Sequence, residues 1–335
     1  MLLLYSCNPT KYVPAESTLL AKSDVKIDNN KVRKSDIEPY IKQQPNKKIF
    51  GARFYLGLYN MSNIEKDRWP HGWLRDIGEE PVIYDPFSSG KSTEQLENYL
   101  FSKGYFNAEV STDVFSRKQK TDVTYRIRTN EAYRIRDVIY DIKDENIRSL
   151  FFMDTINCLI KDNMIYDVDV MQKERVRLER FIKDLGFYSF SRDHIHFEVD
   201  STVGQKQVDI YYEVRKFLRY SDNSRVVETD HQRYRLNNIY IYTSYDPRES
   251  LDRGDAYLEN QDTTYYKGYY FISDKEKYSV KPDVILQSLY IDPGDLYQLT
   301  NMEKSRDHLN SLQTFRLVNI GYNDPPVITE GWDHS

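Results

Sequence analysis

At 335 residues and a net charge of −5, the chain is long enough for two or three ordinary domains and carries no basic footprint for nucleic acid. Charged residues make up 30% of it and mean hydropathy is −0.72, and no apolar run approaches the roughly 18 residues that a membrane span needs. Leu, Ile, Val and aromatics remain plentiful, which excludes a disordered chain, and 29 Tyr with 15 Phe favour strands packed on pleated surfaces.

The chain opens MLLLYSC, a short leucine cluster ending in Ser6 and Cys7 and followed by Asn-Pro. Leu4 and Ser6 stand at minus three and minus one from Cys7, as in the bacterial lipobox, so Cys7 is expected to carry lipid. The stretch lacks the charged leader and the full apolar core of a secretory signal. That mismatch implies a late-assigned start or a trimmed front, and the alternative is a fortuitous cysteine near a frayed end. Cys158, in SLFFMDTINCLI, has the spacing of a buried helical residue.

A repeating unit then organises the sequence. Its first copy has a strand at 18–27, a helix at 35–44, and a second helix started by Ser92 with Gln95 three residues on. That helix ends at Gly104, where the left-handed conformation of glycine stops it. Tyr105 and Phe106 follow, expected to pack helix against sheet, and then a hairpin of strands 108–116 and 121–129. The second copy opens with YRIRDVIYDI (133–142), has helices from Asp144 and from Asp169 with Gln172, and stops at Gly186-Phe187-Tyr188. Its hairpin strands are 194–200 and 207–214. The third opens with YRLNNIYIYT (234–243), has helices at 281–290 and from Thr300 with Glu303, and replaces the stop glycine with Gln313. FRLVNIGYND (315–324) is its expected opening hairpin strand, with the last strand weak or missing. The fold class is therefore α+β, in three tandem β-α-α-β-β units, each a three-stranded sheet covered by two helices.

Catalytic patterns are weak. His194 and His196 alternate along a strand and could pair at a metal, but no third ligand is placed by sequence, and solvated or hairpin-packed histidines are the alternative. SSGK (88–91) lacks the spacing of a phosphate loop, and Glu79-Glu80 have no cleft partner. HGW (71–73) fits loop packing. YYKGYYF (265–271) fits either an aromatic carbohydrate platform or a strand inserted in the third unit. No enzyme class, metal or cofactor is implied.

The helix–GYF–strand junctions LFSKGYFNAEV and IKDLGFYSF and the YRI and YRL strands resemble the POTRA region of the BamA/TamA outer-membrane assembly superfamily. QQPNKKIFG, LGLYN, IGEEPVIYD and YIDPGDLY bring the resemblance nearer to its lipidated TamA-like branch in Bacteroidetes, TamL. The resemblance covers residues 7–335. It implies mixed three-stranded sheets and a division into a signal remnant with linker (1–17), POTRA-like domains at 18–131, 132–217 and 233–335, and a linker at 218–232. Members end in a membrane barrel, which this sequence does not reach.

The strand after each stop is then expected at a sheet edge that takes a client or partner strand. The residues expected there are Asn107, Glu109, Ser111, Asp113, His194, His196, Glu198, Arg316 and Val318. Implied partners are outer-membrane protein clients, a TamB-like protein, other assembly subunits, and the outer membrane through lipid on Cys7. The implied location is the periplasmic face of a Gram-negative outer membrane. The alternative function is a stand-alone lipoprotein adaptor that binds assembly proteins without touching clients.

Overall fold

The computed structural model describes residues 8–220, 226–243, 245, 247–254, 261–273, 280–315 and 317–322. Cys7 and Arg316 lie outside them. The first elements are β1 (Leu19–Ile27), α1 (Lys34–Ile37), α2 (Phe54–Met61), α3 (His71–Ile77), α4 (Pro86–Ser102), β2 (Glu109–Arg117) and β3 (Lys120–Arg128). Then come β4 (Arg134–Ile142), α5 (Glu145–Asp154), α6 (Val168–Asp184), β5 (Ile195–Asp200), β6 (Gln207–Val214), β7 (Phe217–Tyr220) and β8 (Val226–Thr229). The last are β9 (Tyr240–Tyr242), α7 (Pro247–Arg253), β10 (Asp262–Tyr266), β11 (Tyr269–Ser273), α8 (Pro282–Leu286) and α9 (Leu299–Ser311). The three-stranded sheets have orders β1-β3-β2, β4-β6-β5 and β10-β11-β9. The fold is α+β, built of such sheets with helices.

The chain divides into two compact units. The first holds residues up to Val138 with Ile160–Met171 and Val199–Ile210; the second holds Ile139–Leu159, Gln172–Glu198 and Tyr211 onward. In the first unit, β1 runs parallel to β3, and β2 is antiparallel to it, from Glu109 opposite Arg128 to Arg117 opposite Lys120. The alternation in KTDVTYRIR sends Thr121, Val123, Tyr125 and Ile127 into the core and leaves Asp122, Arg126 and Arg128 exposed. Val110, Leu96, Leu100, Leu20, Val25 and Ile37 close that core.

Helix α4 starts earlier than the Ser92–Gln95 pair suggested. Asp85 caps it, accepting from the N–H groups of Phe87 and Ser88 at 3.0 Å each, and Pro86 takes the first turn. Ser92 is an interior, buried residue whose hydroxyl donates back to the Ser88 carbonyl at 2.7 Å and accepts from the Lys42 N–H. The other two expected caps shift as well. Asp167 accepts from the N–H of Asp169 at 2.9 Å, and α9 begins after Gln298, whose side chain makes no cap bond.

In the second unit, Asp144 does cap α5, taking the Ile147 N–H at 3.0 Å. On α6, fully buried Glu174 accepts two bonds from Arg177 at 2.8 Å, one from the Leu159 N–H at 2.9 Å, and one from the Tyr212 hydroxyl at 3.2 Å. Arg177 also pairs with buried Asp154. Burial and the Glu174 carboxylate push the Tyr212 phenol well up, and Glu174 and Asp154 raise the Arg177 guanidinium, so both keep their protons. Within the stretch expected as a linker, β7 and β8 pair antiparallel, Leu218 opposite Glu228.

The third sheet corrects the expected chain order. β11 runs parallel to β9 and antiparallel to β10, the same arrangement as β3 with β1 and β2. Here the hairpin precedes α8 and α9. It is made by the DTTYYKGYYFIS segment, with Lys267 and Gly268 at positive φ in its turn. Residues 317–322 form no strand, because the hairpin position they were expected to fill is already occupied. Val318 instead lies half-buried against the core of Tyr269, Phe271, Ile285 and Leu309.

Candidate functional site: sheet edges and repeat joints

The same local device caps the start of β1 and of β4 and recurs just ahead of β9. Leu19 makes an isolated antiparallel bridge with Ile83, Arg134 with Ile165, and Arg235 with Leu296. Around these, Leu20 N–H reaches the Val82 carbonyl at 2.8 Å, Ile135 N–H reaches Met164 at 2.9 Å, and Leu236 N–H reaches Asp295 at 2.8 Å. The covering segments read Ile83-Tyr84-Asp85, Ile165-Tyr166-Asp167 and Leu296-Tyr297-Gln298. This apolar-Tyr-polar triplet sits immediately before the second helix each time. It is the repeat signal that would have found the helix starts.

At the opposite edges, β2, β5 and β10 are the terminal strands of their sheets. On β2 the Val110 N–H points away from β3, toward Glu97 Oε1 at 3.4 Å. Backbone groups alternate along a strand, so those of Thr112, Val114 and Ser116 point outward too. Among the described residues no backbone group pairs with them. The side chains of Val110 and Thr112 meet the helix layer, Thr112 bonding Thr93 of α4 at 2.8 Å, while Val114 and Phe115 are exposed.

The predicted site residues fall in different settings. Glu109, Ser111 and Asp113 lie on the exposed face of β2, opposite Arg128, Arg126 and Thr124, and Asp113 pairs with Arg126. Asn107 precedes the strand and its carbonyl accepts from Asn130 at 2.7 Å. His196 and Glu198 are on β5. His194 is not: it ends a 3-10 turn, Arg192–His194, with its Nδ1 on Ser191. No cluster of three or more His, Cys, Asp or Glu able to hold a metal occurs among the described residues.

The stop glycines do more than end helices. Gly104 has φ +85°, and a Cβ there would stand 2.6 Å from the Tyr166 carbonyl oxygen. The Gly104 carbonyl takes the Tyr133 N–H at 2.8 Å, and the Gly186 carbonyl takes the Tyr234 N–H at 2.8 Å. Tyr105 and Phe187 are buried in the cores. Phe106 stacks back on Phe101 of α4 at 4.5 Å, and both Phe106 and Tyr188 also face onward. Phe106 stacks on Tyr133 at 4.6 Å and meets Tyr166 edge-on, and Tyr188 meets Tyr234 and Tyr297 edge-on. Each GYF-type junction therefore joins one repeat to the opening strand and covering triplet of the next.

Charge completes both joints. Lys103 bridges Asp167 and Asp169 at the start of α6 at 2.9 and 2.6 Å. At the next joint Asp184, ending α6, accepts the N–H and hydroxyl of Thr300 at 2.7 and 2.6 Å, and Arg180 forks onto Glu303. Asp184 thus supplies the cap that Gln298 does not.

A buried polar pair escaped the sequence reading because its halves lie 87 residues apart. Asp144 accepts the His231 N–H and faces its Nδ1, both at 2.7 Å and both fully buried. Burial pushes the Asp144 carboxyl up, but the His231 hydrogen bonds outweigh it and leave the group below its ordinary value. His194 stands perpendicular to His231 with ring centres 4.5 Å apart. Burial foremost, then the neighbouring His231, hold the His194 imidazole below its ordinary 6.5. Folding thus favours neutral His194, and this contribution is complete above pH 6.5 and lost as pH falls through the lower folded value. Urea denaturation between about pH 7.5 and 5 should show that decline, and His194→Asn should flatten it. An unchanged slope in the variant assigns the decline to other groups.

Residues 74–130, covering most of α3 through β3, match the POTRA family model, described as surface antigen variable number repeat. No curated protein matches the chain. Among solved structures, the chain is similar to BamA POTRA3-5 of Haemophilus influenzae, with 13% identity, 95% of each chain covered and a TM-score of 0.43. It is similar to the N-terminal domain of Omp85 from Thermosynechococcus elongatus, with 10% identity, 90% of this chain and 88% of that one covered and a TM-score of 0.29. It is also similar to POTRA1-3 of Omp85 from Anabaena, with 10% identity, 89% and 86% covered and a TM-score of 0.29. Among the described residues no helix is long and apolar enough to cross a membrane.

Proposed function

We propose that this chain is the periplasmic module of an outer-membrane protein assembly or translocation factor, a non-catalytic array that docks extended client or partner segments on its free sheet edges. The observation that carries this reading is the asymmetry of the edges. The N-terminal ends of β1 and β4 are covered by their Ile-Tyr triplets, while β2 presents unpaired outward amides and carbonyls beside exposed Val114 and Phe115. The POTRA match at 74–130 falls on this same edge-bearing part of the first sheet.

In this reading the repeats are POTRA-like domains at 18–131, 132–217 and 233–335, scaffolding a C-terminal barrel beyond the present sequence. Lipid on Cys7 holds the chain at the periplasmic face of a Gram-negative outer membrane, in the manner of the TamL branch of Bacteroidetes. A TamB-like protein and outer-membrane clients are the partners.

The test uses proline, which removes an outward N–H without touching the inner ladder. Val114→Pro should keep the far-UV circular dichroism and cooperative unfolding of the parent. It should lose binding of a synthetic ten-residue strand of alternating apolar and polar residues, the pattern of a barrel strand, by about tenfold or more. Equal binding by a folded Val114→Pro protein would remove β2 as the docking edge.

A further inference from the structure

The third sheet carries a row of tyrosines on its solvent face. Its inward residues Ile241, Tyr266, Tyr269 and Phe271 build the core with Ile285 and Leu309. Alternation therefore turns Tyr240 and Tyr242 of β9, Thr263 and Tyr265 of β10, and Tyr270 and Ile272 of β11 outward. The strand registers set Tyr270 beside both Tyr240 and Tyr265, so their rings cross the sheet in one line. Tyr240 stacks on Tyr270 with ring centres 5.0 Å apart and planes 23° apart, and Tyr265 follows at 5.1 Å. These separations repeat the spacing of neighbouring strands, roughly 4.8 Å. Stacked in this way the rings cover one another's faces, and the YYKGYYF segment is no flat platform for a sugar.

The row ends at an open edge. Lys267 and Gly268, both at positive φ, make a two-residue turn, which sets Tyr266 and Tyr269 as a hydrogen-bonded pair. Such pairs alternate along the hairpin, so the backbone groups of Thr263 and Tyr265 face away from β11. Among the described residues no backbone group meets them. The hairpin itself is held in place: the Tyr266 hydroxyl and the Lys267 amine both donate to Asp283 Oδ1, at 3.0 and 2.7 Å. Tyr265 is 66% exposed, against 45% for Tyr240, whose hydroxyl accepts from the Asn238 amide at 3.4 Å. The row's uncovered face is therefore the one on β10.

Charge separates this edge from the first. On β2 the outward face carries Glu109, Asp113 and Arg117, all exposed, and charges of this kind keep edges from pairing indiscriminately. None of the outward residues on the third sheet is charged. A strand added at β10 would meet neither repulsion nor an ion pair there, but the last ring of a stack. Aromatic pairs attract at ring separations of about 4.5–7 Å. A strand at the usual spacing would bring a ring opposite Tyr265 within that range.

We infer that β10 takes an extended strand that bears an aromatic residue opposite Tyr265, its ring adding one rung to the row. The inference rests on edge docking in the proposed function and adds the residue type that the third edge selects. In the test the full chain is titrated with two peptides of about ten residues, alternating apolar and polar, that differ only in a central Tyr or Leu. Amide exchange at Thr263 and Tyr265 reads this edge, and exchange at Thr112 and Val114 reads β2. The Tyr peptide should slow the β10 amides with an affinity about two- to tenfold above that of the Leu peptide. Tyr265→Thr should keep the parent's circular dichroism and bind both peptides equally, read at Thr263. The inference is overturned if the two peptides protect the β10 amides equally in the parent, or if the preference survives in Tyr265→Thr. It is equally overturned if only the β2 amides respond, a result that leaves edge docking standing. Protection at β10 that rises with protein concentration alone, the result expected of a second copy, overturns it as well. Protection at neither edge removes the docking reading itself, and this inference with it.

Discussion

Replacing Gly104 by alanine is expected to destabilise the protein by about 2–4 kcal/mol, read as a lowered urea midpoint. A left-handed conformation costs a residue with a Cβ about 1–2 kcal/mol. The remainder comes from the approach to the Tyr166 carbonyl oxygen, 2.6 Å from the new methyl, because the obstacle is backbone held in the triplet that covers β4. Gly186, at φ +102°, makes an instructive pair. Its added methyl meets Leu296 Cδ1 at 2.7 Å, the end of a flexible side chain, so Gly186→Ala should cost less, and part of the loss should return in Gly186→Ala/Leu296→Ala. No single side-chain truncation should rescue Gly104→Ala. A Gly104→Ala protein within about 0.5 kcal/mol of the parent, the range of an ordinary surface substitution, would show that the joint is not closed as described.

Arg177→Met should cost about 3–5 kcal/mol, the usual consequence of stranding buried carboxylates without their cation. Glu174 and Asp154 are both buried, and Arg177 serves both. Glu174 keeps its bonds from Tyr212 and the Leu159 N–H in the variant, yet these neutral donors cannot balance its charge. Arg177→Met/Glu174→Gln/Asp154→Asn should therefore be more stable than Arg177→Met alone, since no uncompensated charge is left inside. Equilibrium denaturation of the three proteins decides this, and a loss below about 1 kcal/mol in Arg177→Met would mean that water reaches the carboxylates.

The parts legible in sequence are those where backbone stereochemistry forces a residue choice. Gly104 and Gly186 need positive φ, so the junction repeated visibly and carried the strand–helix–strand order with it. Alternation in β3 was equally plain. The helix starts were not, because a Ser or Thr followed by Gln or Glu also arises inside a helix, as Ser92 shows. Helices α2 and α3, of 8 and 7 residues, are too short for apolar periodicity to separate them from a loop. The third sheet misled for another reason: its hairpin is inserted ahead of α8 and α9, and register arguments carried over from the first two copies cannot see a change of chain order. Of the candidate site, the edge residues of β2 were readable from the stop signal. The covering triplets and the His231–Asp144 pair depend on contacts across many residues of sequence.

The cap that Asp184 gives α9 makes the boundary between repeats a matter of bookkeeping as well as topology. The amide at Thr300 is satisfied by a residue that belongs, by sequence, to the preceding copy. A third repeat excised at 233 would begin its long helix with that donor unmet, whereas one excised upstream of Asp184 would carry half of the second repeat with it. Stability in this protein is thus shared between neighbours, as in a one-dimensional array with nearest-neighbour terms. Melting should spread from one repeat into the next across the joint, rather than stop at the seams that the sequence draws.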